Sequence, residues 1–294
     1  MQKVVLNSEG VALVVVLMAV AIITALTVEF SYEVYVSTSA LQNWQTSQRL
    51  SLAAKSAARL ATKAISDAAS GKTYTYPGSM ELTYENPIEK SGGLVIIRAE
   101  DENSKFNLNK LILPNQTIDI WQFQAFKRLL RALKLNENIA ERVADWIDSD
   151  SVPLLGNSEE GAKNSPLDSV DELYYMGIDN ESVKKLLPYV TIYGDGTINI
   201  NGAEAPVLMS LSERVDEAVA EQIIRYREGN HFEKKEDLQP VVGGSIYIAL
   251  PLHKLTTKGS VFRILSTATS SEIKRVIECI VEIPSGVIRY WKET

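Results

Sequence analysis

The loop DSDSVPLLGNSEEG, residues 148–161, gathers hard carboxylate oxygens in one short segment. Asp148, Asp150 and Glu159 fall at the first, third and twelfth positions of an EF-hand count, and Glu160 follows directly. Such a set is of the type that can hold a cation, because calcium is held by carboxylate and carbonyl oxygen. The count fails as an EF-hand. Val152 offers no side-chain oxygen at the fifth position, and Pro153 replaces the turn glycine at the sixth. Two readings stay open: an irregular calcium site on Asp148, Asp150, Glu159 and Glu160, or a solvated acidic loop.

Other chemistries find less support. Neither His231 nor His253 sits in a pattern that would activate a nucleophile, and two histidines leave little material for zinc. The expectation is no enzyme and no required cofactor, with calcium as the ion the acidic loop suits. His231, in GNHF after a helical run, reads as a helix-end residue near the negative end of a dipole. Cys279 is the single cysteine and lies on the apolar face of an alternating strand, so it reads as a core thiol.

A phosphate site is the third possibility. ININGAEAPVLMSLSERVDEAVAEQIIRYREGNHFEKKEDL resembles a helix-hairpin-helix module, which binds phosphate on backbone amides at a glycine-rich hairpin. Here the hairpin, Ser210 to Ala218, has no glycine and carries Glu213, Asp216 and Glu217. The upstream half, SVDELYYMGIDNESVKKLL, keeps only Gly177 and also places acids beside it. With a net charge of −7 the chain lacks the clustered basic residues that DNA binding needs. Both halves read as helical modules for protein contact, with no nucleic-acid partner.

These residues must be positioned by a mixed scaffold. After Gly71 come strand-like runs, TYTYP, SMELTYE and GGLVIIRAED, with turn signals at Asn86-Pro87 and Gly92-Gly93. Strands return near the carboxyl end in SVFRILSTATS, EIKRVIECIVEI and GVIRYWKE. Between them lie helical runs: TIDIWQFQAFKRLLRALKL, ENIAERVADWID, SVDELYYM, ESVKKLL, APVLMSL and DEAVAEQIIRYRE. In the first of these Trp121, Phe123, Phe126, Leu129, Leu130 and Leu133 form a broad apolar stripe. The fold class is α+β. Helices inserted between strands of one sheet are the economical arrangement, and two tandem domains are the alternative.

The amino-terminal segment is the clearest element. Val11 to Val28 is apolar except for Thr24 and Thr27. At 1.5 Å per residue it spans roughly 27 Å, close to the hydrocarbon thickness of a bilayer. No glycine or proline interrupts residues 11–70, so the sequence predicts one continuous helix, membrane-grade at first and amphipathic after. Ala53, Ala57, Ala61, Ala64 and Ala68 recur at helical spacing as a thin stripe, and Gly71 is placed to end the helix. Lys3 precedes the apolar run, and Glu29 and Glu33 follow it, which puts the short leader in the cytoplasm and the bulk outside.

A polar leader ending in Gly10, about twenty apolar residues and an unbroken helix together resemble a type IV prepilin. The resemblance implies that a prepilin peptidase cuts between Gly10 and Val11 and leaves the apolar segment in place. Most pilins carry glutamate at the fifth mature position, where it meets the terminal amine of a neighbouring subunit; here that position is Val15. A subunit lacking this carboxylate lacks this means of docking beneath another, which suits a filament tip.

DENSKFNLNKL, VADWIDSDSVP, NSPLDSVDELYYM, LLPYVTIYGDGTININGAEAPVLMSL, IIRYREGNHFEKKEDL and the closing RYWKE, in that order behind the leader, sharpen the resemblance. They are similar to the K-class minor pseudopilins of type II secretion systems. The resemblance implies a single-pass protein of the bacterial inner membrane with a periplasmic head. It implies the I- and J-class minor pseudopilins as partners, with secreted substrates and the outer-membrane secretin as further contacts. It also implies calcium, although the loop between Glu160 and Asn164 is shorter than the family's. The expected division is leader 1–10, membrane segment 11–28 and stem 29–70. Then come a first sheet portion 71–100, a SAM-like or helix-hairpin-helix-like block 101–258 in two halves, and closing strands 259–294. A type IV pilus minor pilin and a membrane-anchored DNA-uptake receptor are the alternatives.

Overall fold

The computed structural model describes residues 8–85, 93–270 and 273–294. Helix α1 runs from Ser8 to Ala69, 62 residues without a break, as expected of a segment free of glycine and proline. Its apolar first part is not buried against any of the described residues. The hydroxyls of Thr24, Thr27 and Ser31 donate to the carbonyls of Val20, Ile23 and Thr27 at 2.7–2.8 Å, so the polar groups there are satisfied within the helix. At the other end Gly71 takes φ +70°, and the ammonium of Lys258 donates to the carbonyls of Ala69 and Lys72, each at 2.8 Å. A cation there meets the free carbonyls and the negative end of the helix.

The second half of α1 lies on an antiparallel sheet. Its strands are β1 (Ser79–Glu85), β2 (Leu94–Asp101), β7 (Val261–Ser270), β8 (Ile273–Glu282) and β9 (Ile288–Glu293), in that spatial order. The alternation of β2 and β8 turns Val95, Ile97, Ala99, Ile277, Cys279 and Val281 towards Leu50, Ala53, Ala54, Ala57 and Ala58 of α1. Four alanines in two turns let the helix lie close on the sheet. Beyond them the expected stripe fails. Ala64 and Ala68 are exposed, because there α1 and the sheet stand apart and leave open apolar grooves between them. Cys279 is buried opposite Ile264, and burial pushes its thiol up to about 11, so it is a packing residue. TYTYP departs from expectation. It joins no strand, and crosses from α1 to β1 with a cis bond before Pro77. Asn86-Pro87 and Gly92 fall outside the described residues.

Residues 102–260 leave the sheet after β2 and return at β7, its neighbour in the sheet. They form α2 (Ile120–Ala132), α3 (Ile139–Ile147), α4 (Asn180–Leu186), α5 (Ala205–Met209), α6 (Glu217–Gly229) and short 3-10 turns. SVDELYYM is one of those turns, over Val170–Tyr175, rather than an α-helix. Two short parallel pairings tie each end of the block to its middle: β3 (Phe106–Asn107) to β4 (Val190–Thr191), and β5 (Ile198–Asn199) to β6 (Leu255–Thr256). The core is separate from that under α1. It is built on Phe106, Phe126, Leu129, Leu130, Leu173, Leu186, Ile198 and Phe232. On α2 the fully buried face is Ala125, Phe126, Leu129 and Leu130, with Gln122 among them, while Trp121, Phe123 and Leu133 are half-buried at its edge.

DENSKFNLNKL is the seam between sheet and helical block. The Asn103 amide accepts from the Ser260 N–H at 2.9 Å and donates to the Thr197 carbonyl at 3.3 Å. Asn107 donates to the carbonyls of Tyr193 and Gly194, and Asn109 exchanges two bonds with Leu167. Buried backbone groups without a partner are costly, and these side chains supply the partners where irregular chain crosses the interior. Asp101 is fully buried. It accepts from the Asn103 N–H at 2.8 Å and from the Asn199 amide at 2.6 Å. Burial nonetheless pushes its carboxyl up to about 7. A folded-state pKa above the unfolded value means stability present at low pH and lost as pH rises from about 4 towards 7. Asp101→Asn is expected to flatten that loss in denaturant titrations across this window. It also lowers stability throughout, because its amide would face that of Asn199. An unchanged slope would remove Asp101 from the pH dependence.

Candidate metal centre

Helix α3 carries Asp145 on its buried side with Val143, Ala144 and Ile147, and Asp148 follows as its carboxyl-terminal cap. The loop beyond folds back to bring Glu159 against them. Ligand-capable oxygens of Asp145, Asp148 and Glu159 all lie within 4.8 Å of one another. Asp145 is 0% and Asp148 5% exposed. Asp145 Oδ1, Asp148 Oδ1 and Glu159 Oε1 are buried and have no hydrogen-bond partner among the described residues. The other oxygen of Asp145, Oδ2, accepts from the Leu154 N–H at 3.0 Å and from the Ser158 hydroxyl.

The electrostatics of this cluster are unfavourable on their own. α3 has no basic residue in its last turn, so the acids gather at the negative end of the helix. Burial, then Asp150, Glu159 and Asp145, push Asp148 up to about 6, and burial with Asp145 and Asp150 raises Glu159. The ammonium of Lys163, four residues after Glu159 in sequence, is bound to Asp168 at 2.7 Å and Glu172 at 3.0 Å. Three converging carboxylates with orphaned oxygens fit a hard divalent cation, which would neutralise the charge and take up the free lone pairs.

Two of the four expected ligands, Asp148 and Glu159, belong to the cluster. Asp150 and Glu160 do not: both are exposed, Asp150 accepting from the Val152 N–H and Glu160 from the Asn157 amide. Asp145 was absent from the expected set. Its signal was the three-residue step from Asp145 to Asp148, which puts both acids on one side of a helix end.

The two helix-hairpin-helix-like halves use acids at their helix starts. Asp216 caps α6 by accepting from the Val219 N–H at 2.9 Å, and Asp179 caps α4 through the Ser182 N–H at 2.9 Å. Aspartate thus holds, in both halves, the amides on which such modules bind phosphate. Glu213 of the hairpin pairs with Arg131 of α2 at 3.1 Å. His231 follows the Asn230 cap of α6, its Nδ1 3.2 Å from the Arg227 carbonyl, and its ring stacks on Tyr76 at 4.4 Å. At the amino terminus Gly10 and Val11 lie at the start of α1, and Val15 is exposed within the apolar run.

Two family models, both described as "Type II secretion system (T2SS), protein K", match this chain, one over residues 104–195 and the other over 198–248. The type II secretion system protein K of Pseudomonas aeruginosa is 32% identical over 162 residues, covering 50% of this chain and 48% of that protein. The protein of the same name from Klebsiella pneumoniae is 31% identical over 134 residues, covering 37% and 39%. The chain thus matches about half the length of these relatives or less. In fold, it superposes on a chain of the GspK-GspI-GspJ complex of the enterotoxigenic Escherichia coli type 2 secretion system. The TM-score is 0.66 at 20% identity, over 87% of this chain and 99% of that one.

Proposed function

We propose that this chain, matched across its helical block by the type II secretion system protein K models, is a member of that family and caps the tip of a periplasmic pseudopilus. The cap starts assembly and acts by binding, without covalent chemistry. It is cut after Gly10 by a prepilin peptidase and stays anchored in the inner membrane by residues 11–28, amino terminus inward. The observation that carries the reading is Val15, an apolar residue at the fifth mature position of an otherwise pilin-like helix. A carboxylate in the bilayer needs a partner, and a chain without one lacks the contact that seats a subunit under its neighbour. The 159-residue excursion between β2 and β7, counted from residue 102 to 260, supports the same place. Head-to-tail contacts propagate without limit, so a filament needs a distinct end, and a large head is accommodated where nothing follows it. The stem would pack with I- and J-class minor pseudopilins, and the head would meet secreted substrates or the secretin. Val15→Glu is expected to leave secretion unchanged or lower it; an increase in assembled pseudopili would contradict the tip role.

Calcium is the ion we assign to Asp145, Asp148 and Glu159. Bound there, it supplies positive charge that lets three buried carboxylates remain ionised together. For a site with a dissociation constant near 10 µM, 1 mM calcium stabilises the fold by about 2.7 kcal/mol. Adding calcium to the chelated full-length protein in detergent is therefore expected to raise its melting temperature by several degrees. Asp148→Asn should abolish the shift and Asp150→Asn should keep most of it. No shift in the unsubstituted protein would remove the metal assignment. The gain should shrink below about pH 6, where Asp148 takes up a proton that competes with the ion.

A further inference from the structure

We propose that Ser158 is the positioning residue of the carboxylate site, and that closure of the 154–158 turn and cation binding are one linked event. The proposal rests on the calcium assignment above. Asp145 divides its two oxygens between two tasks. Oδ2 is occupied by the Leu154 N–H at 3.0 Å and by the Ser158 hydroxyl, while Oδ1 is buried, has no partner among the described residues and is grouped with Asp148 and Glu159. Ser158 is itself held. Its N–H donates to the Leu155 carbonyl at 2.9 Å, and its Oγ accepts from the Leu155 N–H at 3.2 Å.

The hydroxyl has one proton and two acceptors in reach, Asp145 Oδ2 and the Leu155 carbonyl at 2.6 Å. The charged carboxylate is the stronger acceptor, so the proton goes to Asp145. Two donors on Oδ2 fix the rotation of the carboxylate and hence the direction in which Oδ1 points. Ser158 also directly precedes Glu159, so the same turn sets where the third ligand leaves the backbone. Groups that orient metal ligands through a hydrogen bond change affinity without touching the ion. Linkage is reciprocal: a turn that strengthens cation binding must be strengthened by the cation in return.

The test uses the full-length chain in detergent, with calcium as the titrant in calorimetry and hydrogen exchange read at the Leu154 amide. Ser158→Ala is expected to weaken calcium binding about 10–100-fold, and Ser158→Thr, which keeps the hydroxyl, to restore most of it. Calcium should slow exchange at Leu154 in the unsubstituted chain and do so less in Ser158→Ala. If Ser158→Ala lowers the melting temperature in chelator but binds calcium within twofold of normal, Ser158 is merely structural and the proposal is overturned. If the unsubstituted chain binds no calcium, the metal assignment fails first, and this proposal falls with it.

Discussion

Arg263→Met is expected to destabilise the head by about 3–5 kcal/mol, the size of loss seen when one partner of a buried ion pair is removed. Arg263 on β7 donates from Nε to Glu102 at 2.9 Å and from Nη1 to Glu278. The Glu102 side chain is fully buried at the first residue after β2, where it also meets Lys105 at 3.2 Å and the Thr191 hydroxyl. Burial alone would raise the Glu102 carboxyl, but Lys105 and Arg263 outweigh it and hold it below its ordinary range. Without the guanidinium, a buried carboxylate keeps only one cation at the junction where the helical block leaves the sheet. Denaturant unfolding followed by tryptophan fluorescence measures the loss, and the double variant Glu102→Gln/Arg263→Met should recover part of it. A loss below about 1 kcal/mol for the single variant would show that the pair is not what joins the two units.

Gly10→Leu is expected to block processing almost completely. In cells with a prepilin peptidase, the unsubstituted chain should begin at Val11 by amino-terminal mass analysis, and the variant should keep its first ten residues. The retained leader adds charged and polar groups on the cytoplasmic side of the apolar run and holds the helix at a depth where its stem cannot pack with other processed stems. Secretion should fall with it. A variant still starting at Val11, or an unsubstituted chain starting past Val28, would contradict the reading of Gly10.

Much of the scaffold was legible because it rests on local rules. Sixty residues without glycine or proline gave the helix, and the period-two alternation around Cys279 gave the buried face of β8. What escaped the sequence depends on distant neighbours. TYTYP has the residues of a strand but no strand beside it, since its backbone is spent on Thr257 and on the turn into β1. Ala64 and Ala68 continue the stripe of Ala53 and Ala57, yet stay exposed, Ala64 where α1 and β1 enclose a groove of about 510 Å³ and Ala68 beside the smaller hollow next to Tyr74 and Pro77. The carboxylate cluster was half legible. An EF-hand count starts at Asp148 and runs forward, so it collects loop acids such as Asp150 and Glu160. It passes over Asp145, whose carboxylate matters because α3 buries it. Burial of an acid in a helix is a property of packing, and linear spacing alone does not reveal it. The asparagines of DENSKFNLNKL were quoted as a pattern, but their role as partners for stranded backbone groups appears only when residues 190–197, 260 and 167 are brought beside them.

The most direct measurement is the position of this chain along an assembled pseudopilus, read by electron microscopy with a gold label on an epitope inserted at an exposed loop of the helical block. The account predicts one label at one end of each filament and none along its length. Labels repeated along the shaft would contradict it.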